Sequence, residues 1–369
     1  MRAEAIVDLD AIKFNLQLLK KQAGVQVLAV VKADAYGHGL VPVAKAAISA
    51  GADYLGVALL EEAIALREAG ITTPILAWLV QPGSDFESAI SLDIDLSAAS
   101  LRALTEIGAA SKRLGKRARV HLEVDTGMTR GGFLSEWSQL DAEHVAEIEI
   151  VGIYSHFARA DEPQEEQNQQ QLLRFKEMVS TLESFGFTNI IKHLSNSAAT
   201  LTNHAAAFDM VRIGIAMYGL SPDVQTLGTS QELGLRPAMQ LRAALYLVKD
   251  VPAGVPVGYG ATEYTKSDTT LGVVTMGYAD GIPRVARAAG IWCAGKRAPI
   301  IGRVSMDQFV VDLGSDSKAK SGDWVTLFGN GSHGEFTADD WAATSSTINY
   351  EIVTRIGPRV PRIYSAHVY

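Results

Sequence analysis

A chain of 369 residues with a formal net charge of −8 and a pI near 5.5 has an ordinary globular composition and is too long for one small core. Its acidic balance and scattered basic residues argue against a nucleic-acid or polybasic membrane partner, and the single cluster, KRLGKR at 112–117, reads as a solvated helix end. One cysteine, Cys293, leaves no intramolecular disulfide and no multi-cysteine metal site, and no Asp/Glu/His spacing suggests a metal centre; the absence of a signal-like N-terminus or a run of about 20 apolar residues makes a cytoplasmic location the expectation.

In chain order, residues 3–8 read as a short strand, after which Asp8 or Asp10 caps a helix with Ile12, Leu16 and Leu19 on one face. A theme then repeats: an apolar run, a turn rich in Gly, Ser or Asp, and a helical pattern. The apolar runs lie at 27–31, 54–58, 74–79, 94–96, 119–124, 148–154, 190–194 and 210–215, with helical stretches such as 60–70, 101–115 and 164–186 between them. Near-continuous apolar strands alternating with amphipathic helices imply a parallel sheet covered by helices, and eight such units close into a (β/α)8 TIM-like barrel. The fourth run is the weakest, being short and carrying Asp93 and Asp95.

Beyond about residue 225 the texture changes to strands separated by Gly, Pro and Asp turns, an expected mostly β domain with a short helix capped by Thr337 and Asp340. The expected division is 1–230, an α/β barrel, and 231–369, a mostly β domain, with residues 1–8 free to join it. GNGSHG at 329–334 matches a dinucleotide fingerprint but lies in the β domain and reads as a tight turn.

In a barrel of this type function sits at the C-terminal strand ends. Lys32 and Tyr36 follow the first run in VLAVVKADAYGHG. Trp78 ends the third, Asp125 and Arg130 follow the fifth, and His156 follows the sixth. His193, Asn196 and Ser197 cluster after the seventh, and Arg212 and Gly214 lie on the eighth. A lysine where a buried strand meets its loop is an unusual placement, because burial favours the neutral amine and lowers a pKa of about 10.4, making a nucleophile for carbonyl groups. One amine, two histidines and two arginines on one rim suit an anionic carbonyl compound. A phosphate fits the loops after the last two strands, where Ser197 opens a helix and Gly214 admits backbone N–H groups. A phosphate-bearing aldehyde held by a lysine is pyridoxal phosphate.

The chain strongly resembles the alanine racemase family. AVVKADAYGHG, HLEVDTGMTRGG, GIYSHFARAD, NSAAT, VRIGIAMYGL, VGYGATEY, GYADGIPR, GRVSMDQ and INYEIVTRI look like that family's motifs in that family's order, over essentially the whole chain. The resemblance implies interconversion of L- and D-alanine with pyridoxal 5'-phosphate, supplying D-alanine for peptidoglycan. It implies that Lys32 carries the cofactor as an imine, that Tyr36, Ser197, Gly214, Ile215 and Tyr350 hold its phosphate, and that Trp78, His156 and Asn196 line it. Arg212 would face the pyridine nitrogen; an arginine there donates to an unprotonated ring nitrogen and weakens the ring as an electron sink, which limits side reactions.

Racemisation requires two acid/base groups on opposite faces of Cα. By resemblance these are Lys32, acting on D-alanine, and Tyr259, acting on L-alanine and contributed by the partner subunit of a homodimer. A tyrosine, with an ordinary pKa of about 10, is a poor base at neutral pH, so cationic surroundings are expected, with His156 and Arg130 as neighbours. Arg130 and the Met306 backbone would grip the substrate carboxylate, and His193 and Asp307 would support the site. Tyr278, Arg284 and Asp161 resemble residues of an access passage. One departure is Glu123, where many members have a carbamylated lysine; a glutamate would supply the same negative charge, and it is expected to pair with Arg130. Ser305, where a cysteine is common, is a second departure. Two alternatives are a broader-specificity amino-acid racemase and a barrel-type amino-acid decarboxylase, although the latter carries a cysteine-aspartate element where this chain has Tyr259 and Met306-Asp307. A non-enzymatic cofactor carrier of the single-barrel kind fits poorly with a second domain of about 140 residues.

Overall fold

The structure is a computed structural model that describes residues 1–365. The chain divides into two compact units, one comprising Ile12–Ala35 and Leu40–Leu235, the other Met1–Ala11, Tyr36–Gly39 and Arg236–Tyr369.

The first unit carries eight parallel strands. They are β2 (Gln26–Val30), β3 (Tyr54–Val57), β4 (Ile75–Ala77), β5 (Ile94–Ala98), β6 (Ala118–Glu123), β7 (Ile148–Tyr154), β8 (Ile191–His193) and β9 (Met210–Ile213), following β1 (Ala3–Asp8) of the other unit. Each strand pairs with its sequence neighbour from β2 to β8, and β9 pairs with β2 in the register Leu28↔Arg212. Between β8 and β9 the Arg212 N–H donates to the Ser195 carbonyl at 2.9 Å, which brings the two ends of the ladder together into a barrel. All residues of β3, β4 and β5 are buried, as a sheet with helices outside and side chains within requires. Helices Leu60–Glu68, Leu101–Leu114 and Glu166–Ser184 fill the crossovers where the sequence pattern places them. The KRLGKR cluster closes the second of these at Gly115, in the left-handed cap conformation (φ 63°).

The short fourth run is a complete strand. Its Asp95 is buried because side chains at alternate positions point inward, where β6 presents Arg119, His121 and Glu123 at the same period of two. Polar residues thus stripe the barrel interior, and Gly152 on β7 makes room for them: a Cβ there would lie 2.1 Å from His121 Nδ1.

The second unit is built on an eight-stranded sheet. Its long β10 (Met239–Val251) pairs antiparallel with β1, and β1 pairs in parallel with the final strand Arg362–Ser365. Asp8 Oδ1 accepts from the N–H groups of Asp10 and Ala11, both at 2.9 Å, and so caps helix Leu9–Ala23. Thr337 and Asp340 form the expected capping box on helix Ala338–Thr344. Cys293 is buried. Among the described residues no helix is long and apolar enough to cross a membrane.

Replacing Gly152 by alanine drives a methyl group into the His121 ring, and the expected cost is about 1–3 kcal/mol. Gly108, within helix Leu101–Leu114, would place its Cβ 3.7 Å from Glu147, in ordinary contact, so alanine there should stabilise by up to about 1 kcal/mol. Thermal unfolding of the two variants should show shifts of opposite sign; equal shifts would remove the steric explanation for Gly152.

Candidate active site

The segment after β2 turns the wrong way for L-residues. Ala33, Asp34, Ala35 and Tyr36 have φ between 52° and 54°, four consecutive residues in the left-handed region, each at a cost of about 1–2 kcal/mol. Specific bonds hold the start of this turn. The Ala33 N–H donates to Glu62 Oε1 at 2.6 Å, the Ala35 N–H to the Val31 carbonyl at 2.9 Å, and the Leu40 N–H to Asp34 Oδ1 at 2.8 Å. Glu62 also accepts from the N–H groups of Ala58 and Leu59, so one carboxylate ties the loop after β2 to the loop after β3. Backbone strain sustained in this way marks functional sites, and this turn begins at Lys32.

Lys32 is half-buried, its Nζ 5.9 Å from the centre of the Trp78 ring. Burial, with Arg130 and Arg212 adding positive charge, pulls its amine below the usual lysine range against the opposing pull of Glu62. His156 lies in the same field: burial together with Arg212, Arg130 and Lys32 pushes its pKa down to about 3. Its Nδ1 faces Arg212 Nη2 at 3.1 Å, and since a guanidinium only donates, that nitrogen accepts. His156 is therefore neutral and adds no positive charge of its own to the field of Arg130 and Arg212.

Arg212 is 4% exposed, and burial brings its guanidinium down to about 10, still charged at neutral pH. Nη1 donates to the His193 carbonyl (2.9 Å) and to His193 Nδ1 (3.2 Å). Nη2 donates to the carbonyls of Ser155 (2.7 Å) and Leu194 (3.1 Å) and to His156 Nδ1. Among the described residues no protein acceptor takes a bond from Nε.

Glu123 does not form the ion pair with Arg130 that the sequence suggested. Arg130 is exposed on a loop organised by Asp125, whose Oδ1 accepts from the N–H groups of Gly127, Met128 and Thr129, and its charge reaches Glu123 only through space. Glu123 ends β6 half-buried near the Tyr154 hydroxyl, which bonds Ser97 Oγ at 2.7 Å, and burial raises the Glu123 carboxyl above the usual range despite both arginines. Gly131 accommodates it, a Cβ there standing 3.1 Å from Oε1.

After β8, Asn196 Oδ1 caps helix Ser197–Thr202 by accepting from the Ala199 N–H at 3.0 Å, and Ser197 Oγ accepts from the Gly214 N–H at 2.9 Å. Asn196 thus has a structural duty beside any cofactor contact. Gly214 precedes the turn Ile215–Tyr218, so Ser197, Gly214 and Ile215 are gathered at one end of the barrel unit. Asp161 accepts through its carbonyl from Thr226 Oγ1 at 2.6 Å.

In the second unit Tyr36 is buried, which raises its hydroxyl above the usual tyrosine range, and its ring centre lies 6.2 Å from that of Tyr350. Tyr259 stands in a turn (Tyr259–Ala261) between strands Pro256–Val257 and Glu263–Tyr264, flanked by Gly258 and Gly260 at positive φ, and is 71% exposed. Met306 and Tyr278 are also exposed, and their loops are tied together by N–H donation from Tyr278 to Ser305 and from Ala279 to Met306. Asp307 pairs with Arg359 at 2.7 Å, and Arg284 is exposed.

The donor set in the barrel fits pyridoxal 5'-phosphate. It offers a depressed amine, a buried arginine with an uncommitted Nε donor, and the buried Trp78 Nε1, which has no protein partner. The GNGSHG segment is closed to phosphate because the buried Glu335 carboxylate already accepts from the Gly331 and His333 N–H groups, both at 2.9 Å. Sequence reasoning passed over Glu62, Asp95, Arg119, His121 and Tyr154. For the β6 pair the available signal was polar residues at every second position of an apolar run.

Comparison with known proteins gives a consistent result. The sequence profile described as "Alanine racemase, N-terminal domain" matches residues 7–222, and "Alanine racemase, C-terminal domain" matches 238–364. A curated protein named alanine racemase from Beutenbergia cavernae is 51% identical over 371 residues, covering 98% of this chain and 97% of its own; one from Frankia casuarinae is 49% identical, covering 99% and 96%. The crystal structure of alanine racemase from D-cycloserine producing Streptomyces lavendulae superimposes with a TM-score of 0.97 at 47% identity, covering 100% of this chain and 98% of that one. Alanine racemase from Bacillus anthracis with bound L-Ala-P has a TM-score of 0.90 at 39% identity, covering 99% and 95%.

In cofactor-free protein, the pH profile for acetylation of Lys32, followed by mass spectrometry, should turn over below that of exposed lysines, because the neutral amine persists to lower pH. Arg130→Met removes a cation and should move the turnover upward. A Lys32 profile matching surface lysines would contradict the electrostatics of this site.

Proposed function

The chain belongs to the alanine racemase family, and from that premise we propose that it interconverts L- and D-alanine with pyridoxal 5'-phosphate, using Lys32 and Tyr259 as the two bases. The observation that carries this is Lys32, a half-buried amine at the end of β2 held in an arginine-rich field that favours its neutral form. When bound, the cofactor supplies an electron sink for the pair left as the Cα–H bond breaks.

Lys32 anchors the cofactor, and Tyr36, Ser197, Gly214, Ile215 and Tyr350 hold its phosphate. Trp78, His156 and Asn196 line it, and Arg212 offers a charged donor to the ring nitrogen. A guanidinium retains its proton there, so the ring nitrogen gains a hydrogen bond without gaining a full charge. Arg130 and the Met306 N–H hold the substrate carboxylate, which fixes Cα between the two bases. The Lys32 amine, whose neutral form burial and the arginines favour, takes the α-proton of D-alanine; the Tyr259 phenol returns a proton to the opposite face, and the roles reverse for L-alanine. His193 supports Arg212 from the barrel side, with Asp307 behind Met306, and Tyr278, Arg284 and Asp161 border the access passage.

In this reading residues 1–230 bind the cofactor and 231–369 supply the second base. The exposure of Tyr259 on a hairpin turn supports its use in the site of a second copy of the chain, as a homodimer with shared active sites. The product would serve peptidoglycan synthesis in the cytoplasm.

Incubating the holoenzyme with L-alanine, L-serine, L-lysine and L-arginine in heavy water separates the alternatives. Formation of the D-isomer with α-deuteration from alanine alone is expected. Equal rates with the larger amino acids would mean a broad-specificity racemase, and release of carbon dioxide would sink the racemase reading. Tyr259→Phe should lower turnover of L-alanine by about 10²–10⁴ while the cofactor absorbance is retained; a colourless variant would make Tyr259 structural.

A further inference from the structure

Behind Arg212, a line of buried polar side chains crosses the barrel interior to Asp95 on β5. Asp95 accepts two bonds from Arg119, from Nε at 2.7 Å and Nη2 at 3.2 Å. His121 Nε2, a buried nitrogen that makes no close hydrogen bond among the described residues, stands 3.5 Å from Asp95 Oδ2, which is the nearest acceptor for a proton on it. His121 Nδ1 lies 2.9 Å from His193 Nε2, and His193 Nδ1 lies 3.2 Å from Arg212 Nη1. Both histidines are fully buried. Their rings meet edge to face, with Tyr154 stacked on His193 at 5.0 Å and Tyr54 edge-on to His121.

Chemistry alone dictates where the protons sit. A guanidinium has no acceptor, so His193 Nδ1 must offer its lone pair. In a neutral imidazole the proton is then on Nε2, which donates to His121 Nδ1, and the His121 proton is consequently on Nε2, facing the carboxylate. Charging either ring would place a donor against a donor in a dry interior, and burial beside Arg212 and His121 holds His193 well below the usual histidine range. Asp95 must therefore be an acceptor. Burial works against that, but the nearby His121 ring and the two Arg119 hydrogen bonds prevail and keep its carboxyl below the usual range.

We propose that Asp95, His121 and His193 form a one-way hydrogen-bond relay, pinned at its far end by Arg119, that positions Arg212 as the charged partner of the cofactor ring nitrogen. This rests on the reading of Arg212 given above. The relay makes His193 Nδ1 an obligatory acceptor, so the two Nη groups are fully engaged and the guanidinium plane cannot turn; Nε is the donor left for the ligand. A negative pole at Asp95 polarises both rings and strengthens the bond at the Arg212 end. None of these three residues touches the cofactor or the substrate in this reading, and they are positioning residues.

The amide of Asp95→Asn reverses the relay. Arg119, a pure donor, claims the amide oxygen, so the NH2 group faces His121 Nε2; both rings must then shift their protons to Nδ1, and His193 turns an N–H against Arg212. The test is nitrogen-15 NMR of histidine-labelled protein, cofactor-free and loaded, together with cofactor absorbance and affinity. Wild-type protein should show neutral, exchange-protected Nε2–H forms at His121 and His193 in both states. Asp95→Asn should convert them to Nδ1–H, shift the cofactor absorbance and weaken cofactor binding on the order of tenfold or more. A charged or Nδ1–H ring at either position in wild-type protein would overturn the relay. Retention of wild-type tautomers in a folded Asp95→Asn protein would overturn it as well. The expected tautomers with unchanged absorbance and affinity in Asp95→Asn would leave the cofactor reading standing and dismiss the positioning role.

Discussion

A guanidinium with 4% exposure must find acceptors for the N–H groups it buries, and the barrel is arranged around that requirement for Arg212. Three main-chain carbonyls, of His193, Ser155 and Leu194, come from the strand ends beside it, and two imidazoles complete the set. Each imidazole is forced into a neutral, accepting form. The same cation helps to depress the Lys32 amine. One buried charge therefore fixes the protonation of the neighbouring histidines, favours the neutral form of the Lys32 amine, and keeps its own Nε without a protein acceptor.

The lysine turn is the second cost carried by the site. Four left-handed residues in a row would not persist in a free peptide, and Glu62 meets that cost by accepting three backbone N–H groups from the loops after β2 and β3. A lysine placed by strained backbone on a rigid barrel has little freedom to leave its position, which suits the proposed double duty of holding a cofactor and moving a proton.

The sequence declared its strands through apolar runs, and all eight barrel strands lie where those runs are. The Thr337 cap and the Asp8 cap were equally legible, since a side-chain acceptor next to a helical pattern acts locally. Other features were not legible, for physical reasons. Nothing in Ala33-Asp34-Ala35 announces a left-handed turn, because no glycine is there to permit it. Asp95 looked like a defect in a strand because its partners, Arg119 and His121, are more than twenty residues away and meet it only inside the closed barrel. Glu123 was matched to Arg130 because it stands where the family carries a carbamylated lysine, yet β6 turns its side chain into the barrel while the loop carries Arg130 to the surface. The family motifs located nearly every proposed site residue; the interior residues that hold them in place follow from strand alternation and burial.

The central claim is that the amine of one chain and the phenol of another act on opposite faces of one substrate. Lys32→Ala and Tyr259→Phe chains, each inactive alone, can be co-expressed with different tags and the mixed species purified. If the bases belong to different chains, each mixed dimer holds one intact site and one that lacks both bases, so the purified mixed species should recover about half of the wild-type activity. Recovery absent from a purified mixed dimer that binds the cofactor would contradict the claim and return both bases to the same chain.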